Sequence, residues 1–241
     1  MRRVGSLVLV CSLAGSVGLF SVVGLAADNA KTPVAPEEIQ EVVKRIQARY
    51  ERTRDLQADF TQSTMIEGFA TPIVSSGRVY IKKPGRLRWD YLDPAVEQIY
   101  VIRNNVMIYV PEHQQVLVGK LTHMAASQAP LQLLQGIAKL DEEFDIVPTA
   151  GGKRGEGGVP LITLLPKHEG HESVQVVKHI VLGVQPKTYF VKTVSIHEIS
   201  GNVATFEFTN LRANIGLSNG LFDFDVPDGV EVVNAPALNP P

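Results

Sequence analysis

The sequence predicts a mainly β (α+β) fold: an incomplete, strongly curved antiparallel β-barrel of about eleven strands, with a helical lid over a hydrophobic cavity. Three observations predict it. About eleven short segments rich in Val, Ile, Thr, Phe and Tyr follow one another with turn signals between them. One stretch alone is a convincing amphipathic helix, and a second helical patch is unusually apolar. A sheet of that many strands must curl or close, and so few helices cannot cover both of its faces.

The chain opens on Arg2 and Arg3 and a Gly- and Ser-interrupted apolar run that ends at Gly24-Leu25-Ala26, a small-x-small cleavage pattern. Residues 1–27 therefore read as a cleaved secretory signal peptide rather than a retained anchor. Cys11 follows Val10 where a lipobox requires a small residue, so the mature protein is not expected to be lipidated itself. Residues 28–35 form a short polar linker before a single domain over 36–241. The helix spans 36–54: Pro36 suits its first turn, Glu37 and Glu38 suit its positive dipole end, and Ile39, Val42, Val43, Ile46 and Tyr50 recur on one side.

Strands are expected at 56–67, 74–82, 86–92, 97–103, 105–111, 114–119, 143–148, 160–166, 174–184, 188–199 and 202–212. Pro84-Gly85, Asn104-Asn105 and Ser200-Gly201-Asn202 supply hairpin turns, and the Gly151–Gly158 run a flexible hairpin loop. Alternation sets Val79 with Ile81, then Leu87, Trp89 and Tyr91, then Ala204, Phe206 and Phe208, each group on one face. These are candidate walls of an apolar cavity or residues of an ordinary core. Arg86, Arg88 and Asp90 fall on the opposite face, expected to be wet. Between Thr122 and Gly136 the one side chain able to carry charge is His123, so the helical patch bearing Leu131, Leu134 and Ile137 must press on something apolar.

Cleavage at residue 27 removes the only cysteine, and Arg2 and Arg3 from the 23 basic residues, but none of the 25 acidic ones, leaving a net charge of −4. A cysteine-free exported domain has no disulfide, thiol nucleophile or thiolate metal site. A mildly acidic balance argues against a nucleic-acid partner. The six histidines are scattered, and no Gly-x-Ser-x-Gly elbow accompanies them. HEGHE at 168–172 is the best metal candidate, but it reads as a solvated loop rather than a rigid chelating helix. Glycines 151–158 lack the Gly-Lys-Ser/Thr ending of a phosphate loop. Asp141–Glu143 and the pair Asp223 and Asp225 read as solvated charge. No catalytic residue, metal or cofactor is expected.

The ordered set DLQADFTQ (Asp55–Gln62), GRVYIKKPGRLRWDY (Gly77–Tyr91), EQIYVIRNNVMIYVPEHQQV (Glu97–Val116) and NGLFDFDVPDGVEVV (Asn219–Val233) resembles the outer-membrane lipoprotein carrier family, the LolA type. The resemblance spans nearly the whole mature chain. It implies a monomeric, non-enzymatic periplasmic chaperone of a Gram-negative bacterium. Such a carrier takes lipoproteins from an inner-membrane ABC-type exporter and delivers them to an outer-membrane acceptor. It implies that the walls named above hold acyl chains and that Leu131, Leu134 and Ile137 belong to the lid. It also implies a lid latch immediately before the proline, typically an arginine bonding to helix backbone; here that residue is Lys83, which lacks the planar fork. The alternatives are a lipid-sensing regulatory module of the same fold and a carrier of another amphiphile such as a glycolipid.

Overall fold

In a computed structural model, which describes residues 34–120, 140–167 and 177–234, the alternating segments join into one sheet of twelve strands. In chain order these are β1 (Asp55–Met65), β2 (Ile73–Lys82), β3 (Arg86–Asp93), β4 (Glu97–Ile102), β5 (Asn105–Val110) and β6 (Gln115–Lys120). Then come β7 (Phe144–Pro148), β8 (Ile162–Pro166), β9 (Val177–Val184), β10 (Val191–Glu198), β11 (Val203–Ala213) and β12 (Glu231–Asn234). Two meanders, β1 to β6 and β7 to β11, are joined by antiparallel pairing of β1 with β11, where Phe60 lies opposite Phe208. The sheet is curved and does not close, because its outer members β7 and β12 do not pair with each other.

Eleven of these strands fall where alternation and turn residues predict them. The twelfth is an addition to that pattern. Its four residues run parallel to β6, with Val232 opposite Val116, after a crossing segment that ends in the Pro227–Val230 turn. One turn is displaced: Ile102 pairs with Asn105, so the two-residue loop is Arg103-Asn104, not Asn104-Asn105, and Arg103 takes the positive φ of 58°. The run 151–158 does join a hairpin, β7 to β8, but as two tight turns tied by a bridge between Arg154 and Pro160.

Helix α1 covers Pro36–Glu51, three residues shorter than its periodic pattern, since the chain turns at Arg52 to feed Asp55 into β1. Its stripe of Ile39, Val42, Val43, Ile46 and Tyr50 is buried and packs on the same apolar face of the sheet that carries Phe60, Val79, Leu87, Trp89, Val194 and Phe206. A one-turn helix α2 (Leu140–Glu143) leads into β7. The core is thus a single layer between α1 and the concave face of the sheet, drawn from both meanders.

The opposite, convex face is not simply wet. Residues 219–226 cross it as a strap and place Phe222, fully buried, and Phe224 against it; Phe224 lies 5.0 Å from Tyr100 and 5.3 Å from Tyr109, between ring centroids. Asp90 is accordingly buried at 6% exposure, which corrects its assignment to a solvated face. Arg88 is half-buried. Its Nε donates to both carboxylate oxygens of Asp90 at 2.9 Å, Nη1 donates to the Leu221 carbonyl, and its guanidinium sits over the Tyr100 ring. A charge can be kept there because its hydrogen-bonding partners come with it.

Candidate functional site

The concave face is where the apolar candidates converge. Val79 lies directly opposite Trp89 and Ile81 opposite Leu87, so both pairs stand on one side of the pleat. Trp89 packs against Phe60 with ring centroids 4.5 Å apart and planes tilted by 44°, and meets Phe206 and Phe208 edge-on at 5.6 Å and 6.1 Å. Val79, Leu87, Trp89, Phe206 and Phe208 are buried, while Ile81 and Tyr91 are half-buried and pack against them. The Tyr91 hydroxyl donates to Gln62 Oε1 at 2.7 Å, and the Gln62 amide donates to Thr64. This gives the Phe60-x-Gln62 pattern a physical meaning: Phe60 fills the wall and Gln62 satisfies the phenol at its margin. Burial, reinforced by the Glu97 carboxylate, pushes the Tyr91 hydroxyl far above its ordinary range, so it remains a proton donor. Burial also raises the Glu97 carboxyl.

Gly77 keeps this wall close-packed. A Cβ there would sit 1.9 Å from the Asp90 carbonyl oxygen and 3.0 Å from the Phe60 ring, so β2 and β3 can approach only at a glycine.

Helix α1 covers part of the face and is tethered at both ends by polar contacts. Near its start, Arg154 makes a two-pronged bond to Glu38 at 2.6 Å and 2.9 Å. Near its end, Arg49 donates to the Thr188 carbonyl and the Val191 N–H donates to the Tyr50 hydroxyl. Lys83 completes this end, its ammonium donating to the main-chain carbonyl of Tyr50. The family resemblance implies a helix-backbone acceptor for Lys83 on the apolar lid; the acceptor described here is on α1. Leu131, Leu134 and Ile137, like HEGHE and residues 1–27, lie outside the described residues. Between the two tethered ends, α1 and β7 bound a cleft of about 380 Å³ floored by Ile39, Val43, Phe144 and Ile146 and rimmed by Lys44, Lys167, Asp141 and Asp145.

A junction that sequence reasoning missed holds the same end of the molecule. The Asp55 carboxylate accepts from the Ile215 N–H at 2.7 Å and the Gly216 N–H at 3.1 Å, and its main-chain carbonyl accepts from Asn214 N–H. Asn214, at φ 57°, in turn accepts from Arg54 N–H through its side chain. The exit of α1, the start of β1 and the end of β11 are thereby tied into one knot. Nothing in local periodicity couples residues 160 apart, so the only trace of it was Asp55 at the head of DLQADFTQ.

A curved, unclosed sheet whose concave face is continuously apolar and covered by a polar-tethered helix defines a protein of the lipoprotein-carrier fold class. The family model described as outer membrane lipoprotein carrier protein LolA matches residues 51–225. The chain belongs to that family. An outer-membrane lipoprotein carrier protein of Methylococcus capsulatus is 30% identical over 188 residues, 78% of this chain and 85% of the relative. A protein of the same name from Methylobacillus flagellatus is 27% identical over 79% of this chain and 88% of its own length. Among solved structures, an uncharacterized conserved protein from Thermus thermophilus shares the fold with a TM-score of 0.52 at 15% identity, covering 81% of this chain and 98% of that one.

Proposed function

We propose that the protein is a periplasmic carrier, not an enzyme, that binds the acyl chains of lipoproteins. In this reading it receives them from an ATP-driven exporter in the inner membrane and passes them to an acceptor at the outer membrane. The supporting observation is the continuous apolar concave face of an unclosed sheet, closed over by a helix tied to its surroundings by polar bonds along its length, from Glu38 through Arg45 and Gln47 to Tyr50. Each methylene kept from water is worth about 0.8 kcal/mol, on the order of 10 kcal/mol for a long acyl chain. A carrier must supply a dry surface of that capacity and still give the chain up.

Polar tethers suit that requirement. The exposed bonds of Glu38, Gln47 and Arg49 exchange readily with water, at a net cost of about 1 kcal/mol each, whereas the apolar stripe of α1 finds a substitute partner in the incoming chain. The acyl chains would contact Val79, Ile81, Leu87, Trp89, Tyr91, Phe206 and Phe208, with Leu131, Leu134 and Ile137 supplied by the lid and Lys83 acting as the latch. Residues 1–27 would direct export and be removed, leaving 28–35 as a linker ahead of a single carrier domain that works as a monomer.

The test is to incubate the purified mature protein with vesicles containing the exporter and a lipoprotein, add ATP, and separate soluble from sedimented material. A soluble one-to-one complex of carrier and lipoprotein is expected. If the lipoprotein stays with the vesicles, the carrier reading fails.

A further inference from the structure

Three hairpins turn at the same end of the sheet, and that end is greasy. The β1–β2 tip exposes Met65, Phe69, Ile73 and Val74, with Phe69 67% accessible. The neighbouring β3–β4 tip exposes Leu92 and Val96, and the β10–β11 tip exposes Ile199 at 66%. These seven are the majority of the eleven large hydrophobic side chains exposed among the described residues. The tips are adjacent because their strands are: β1 pairs with both β2 and β11, Met65 lies opposite Val203, and Ser76 lies opposite Asp93. Two of them are fastened together, with the Glu67 N–H donating to the Asn202 side chain at 3.0 Å.

The lysine- and arginine-free charge of these three hairpins has one sign. Residues 62–76, 91–97 and 197–202 contain Glu67, Asp93, Glu97 and Glu198 and no lysine or arginine. The nearest basic side chain in the register is at the margin, Lys178 on β9, next to Val177, which pairs with Glu198. Isolated exposed hydrophobics are ordinary, but a cluster gathered from three separate hairpins is the mark of an interaction site. Acidic residues among the apolar ones decide what fits. An anionic membrane surface is repelled by them, and a second copy of the chain would bring the same negative end against its own.

We infer that this three-hairpin end is a docking surface for a protein partner that presents apolar side chains among lysines and arginines. It is separate from the concave face, and the inference rests on this end's own apolar exposure and charge, not on the cargo reading.

The experiment uses the mature protein, isotope-labelled for NMR, and two soluble peptides, one alternating leucine with lysine and its counterpart with glutamate for lysine. Vesicles of zwitterionic lipid and of anionic lipid are run in parallel. The leucine–lysine peptide is expected to shift the amides of residues 65–74, 92–96 and 199–202, and the leucine–glutamate peptide to leave them in place. Phe69→Ser combined with Ile199→Ser should weaken binding at least about tenfold, and Glu67→Lys combined with Asp93→Lys should turn the preference toward the glutamate peptide. All four positions are exposed, so the thermal transition and the binding of a fluorescent fatty acid should not change. Peptide shifts elsewhere, equal response to both peptides, tighter binding to anionic vesicles through the same residues, or self-association abolished by Phe69→Ser would each overturn the inference.

Discussion

The ammonium of Lys83 and the main-chain carbonyl of Tyr50 are hydrogen-bonded across the gap between the β2–β3 turn and the last turn of α1. Tyr50 is thus fixed at its backbone by one strand pair and at its hydroxyl by Val191 on another. Burial lowers the Lys83 pKa, opposed by the nearby Glu51 carboxylate. Replacing Lys83 with Met should lower stability by about 1 kcal/mol and raise amide exchange in the last turn of α1 without affecting β7 to β9. Lys83→Arg should hold the helix more firmly and slow cargo hand-off, and unchanged transfer with unchanged exchange would make Lys83 an ordinary surface charge.

Leu87 is fully buried beneath this arrangement. A glutamate there would put a carboxylate into the core with no partner, so Leu87→Glu should abolish cooperative unfolding rather than cargo binding alone. Ile81, its half-buried neighbour, is the better probe of the wall. Ile81→Ser should keep a cooperative transition, measured by circular dichroism, and weaken the binding of a fluorescent fatty acid.

Asp55 receives two N–H donors from the chain that follows β11. Asp55→Ala leaves both unpaired in a partly buried site and should cost about 2–4 kcal/mol in denaturant unfolding. Amide exchange at Ile215 and Gly216 should accelerate more than at Phe208.

Phe222 is the pin of the convex-face strap. Phe222→Ala should destabilise the protein by about 3–5 kcal/mol and expose β6 by releasing β12. Exchange protection lost along residues 115–118 ahead of residues 162–166 would verify that order; uniform loss would show that strap and sheet unfold as one.

His179 and His197 face each other across β9 and β10 with rings stacked at 4.2 Å. Burial depresses both pKa values, helped for His179 by His197 and Lys178 and for His197 by Lys178 and Lys153. Because the folded state then binds fewer protons than the unfolded chain, stability should be level above the ordinary histidine pKa of about 6.5 and fall as pH drops below it. The doubly substituted His179→Gln, His197→Gln protein should show a flatter dependence of melting temperature on pH between about 5 and 7.

Strand positions were legible because alternation and turn residues are local signals: Val79, Trp89 and Phe206 announce a buried face by their own spacing. α1 was legible for the same reason. What could not be read was anything joining distant segments. β12 has four residues and, although the Pro227–Val230 turn leads into it, its partner β6 lies more than a hundred residues earlier in the chain; likewise Arg88, which holds Asp90, is bonded to Leu221, 133 residues on. Lys83 was legible as a helix-backbone donor through the resemblance, but which helix it meets depends on where α1 comes to lie.

The pairing of β1 with β11 has a temporal consequence. Residue 56 finds its neighbour at residue 213, so a chain emerging N-terminus first presents β1 with one bare edge until almost everything else has followed. The contact is among the costliest in loop entropy, and folding of the middle of the sheet should be slow and should wait for the last strands. During that interval the edge of β1, carrying Phe60 and Ala58, is the stretch most in need of protection from other chains.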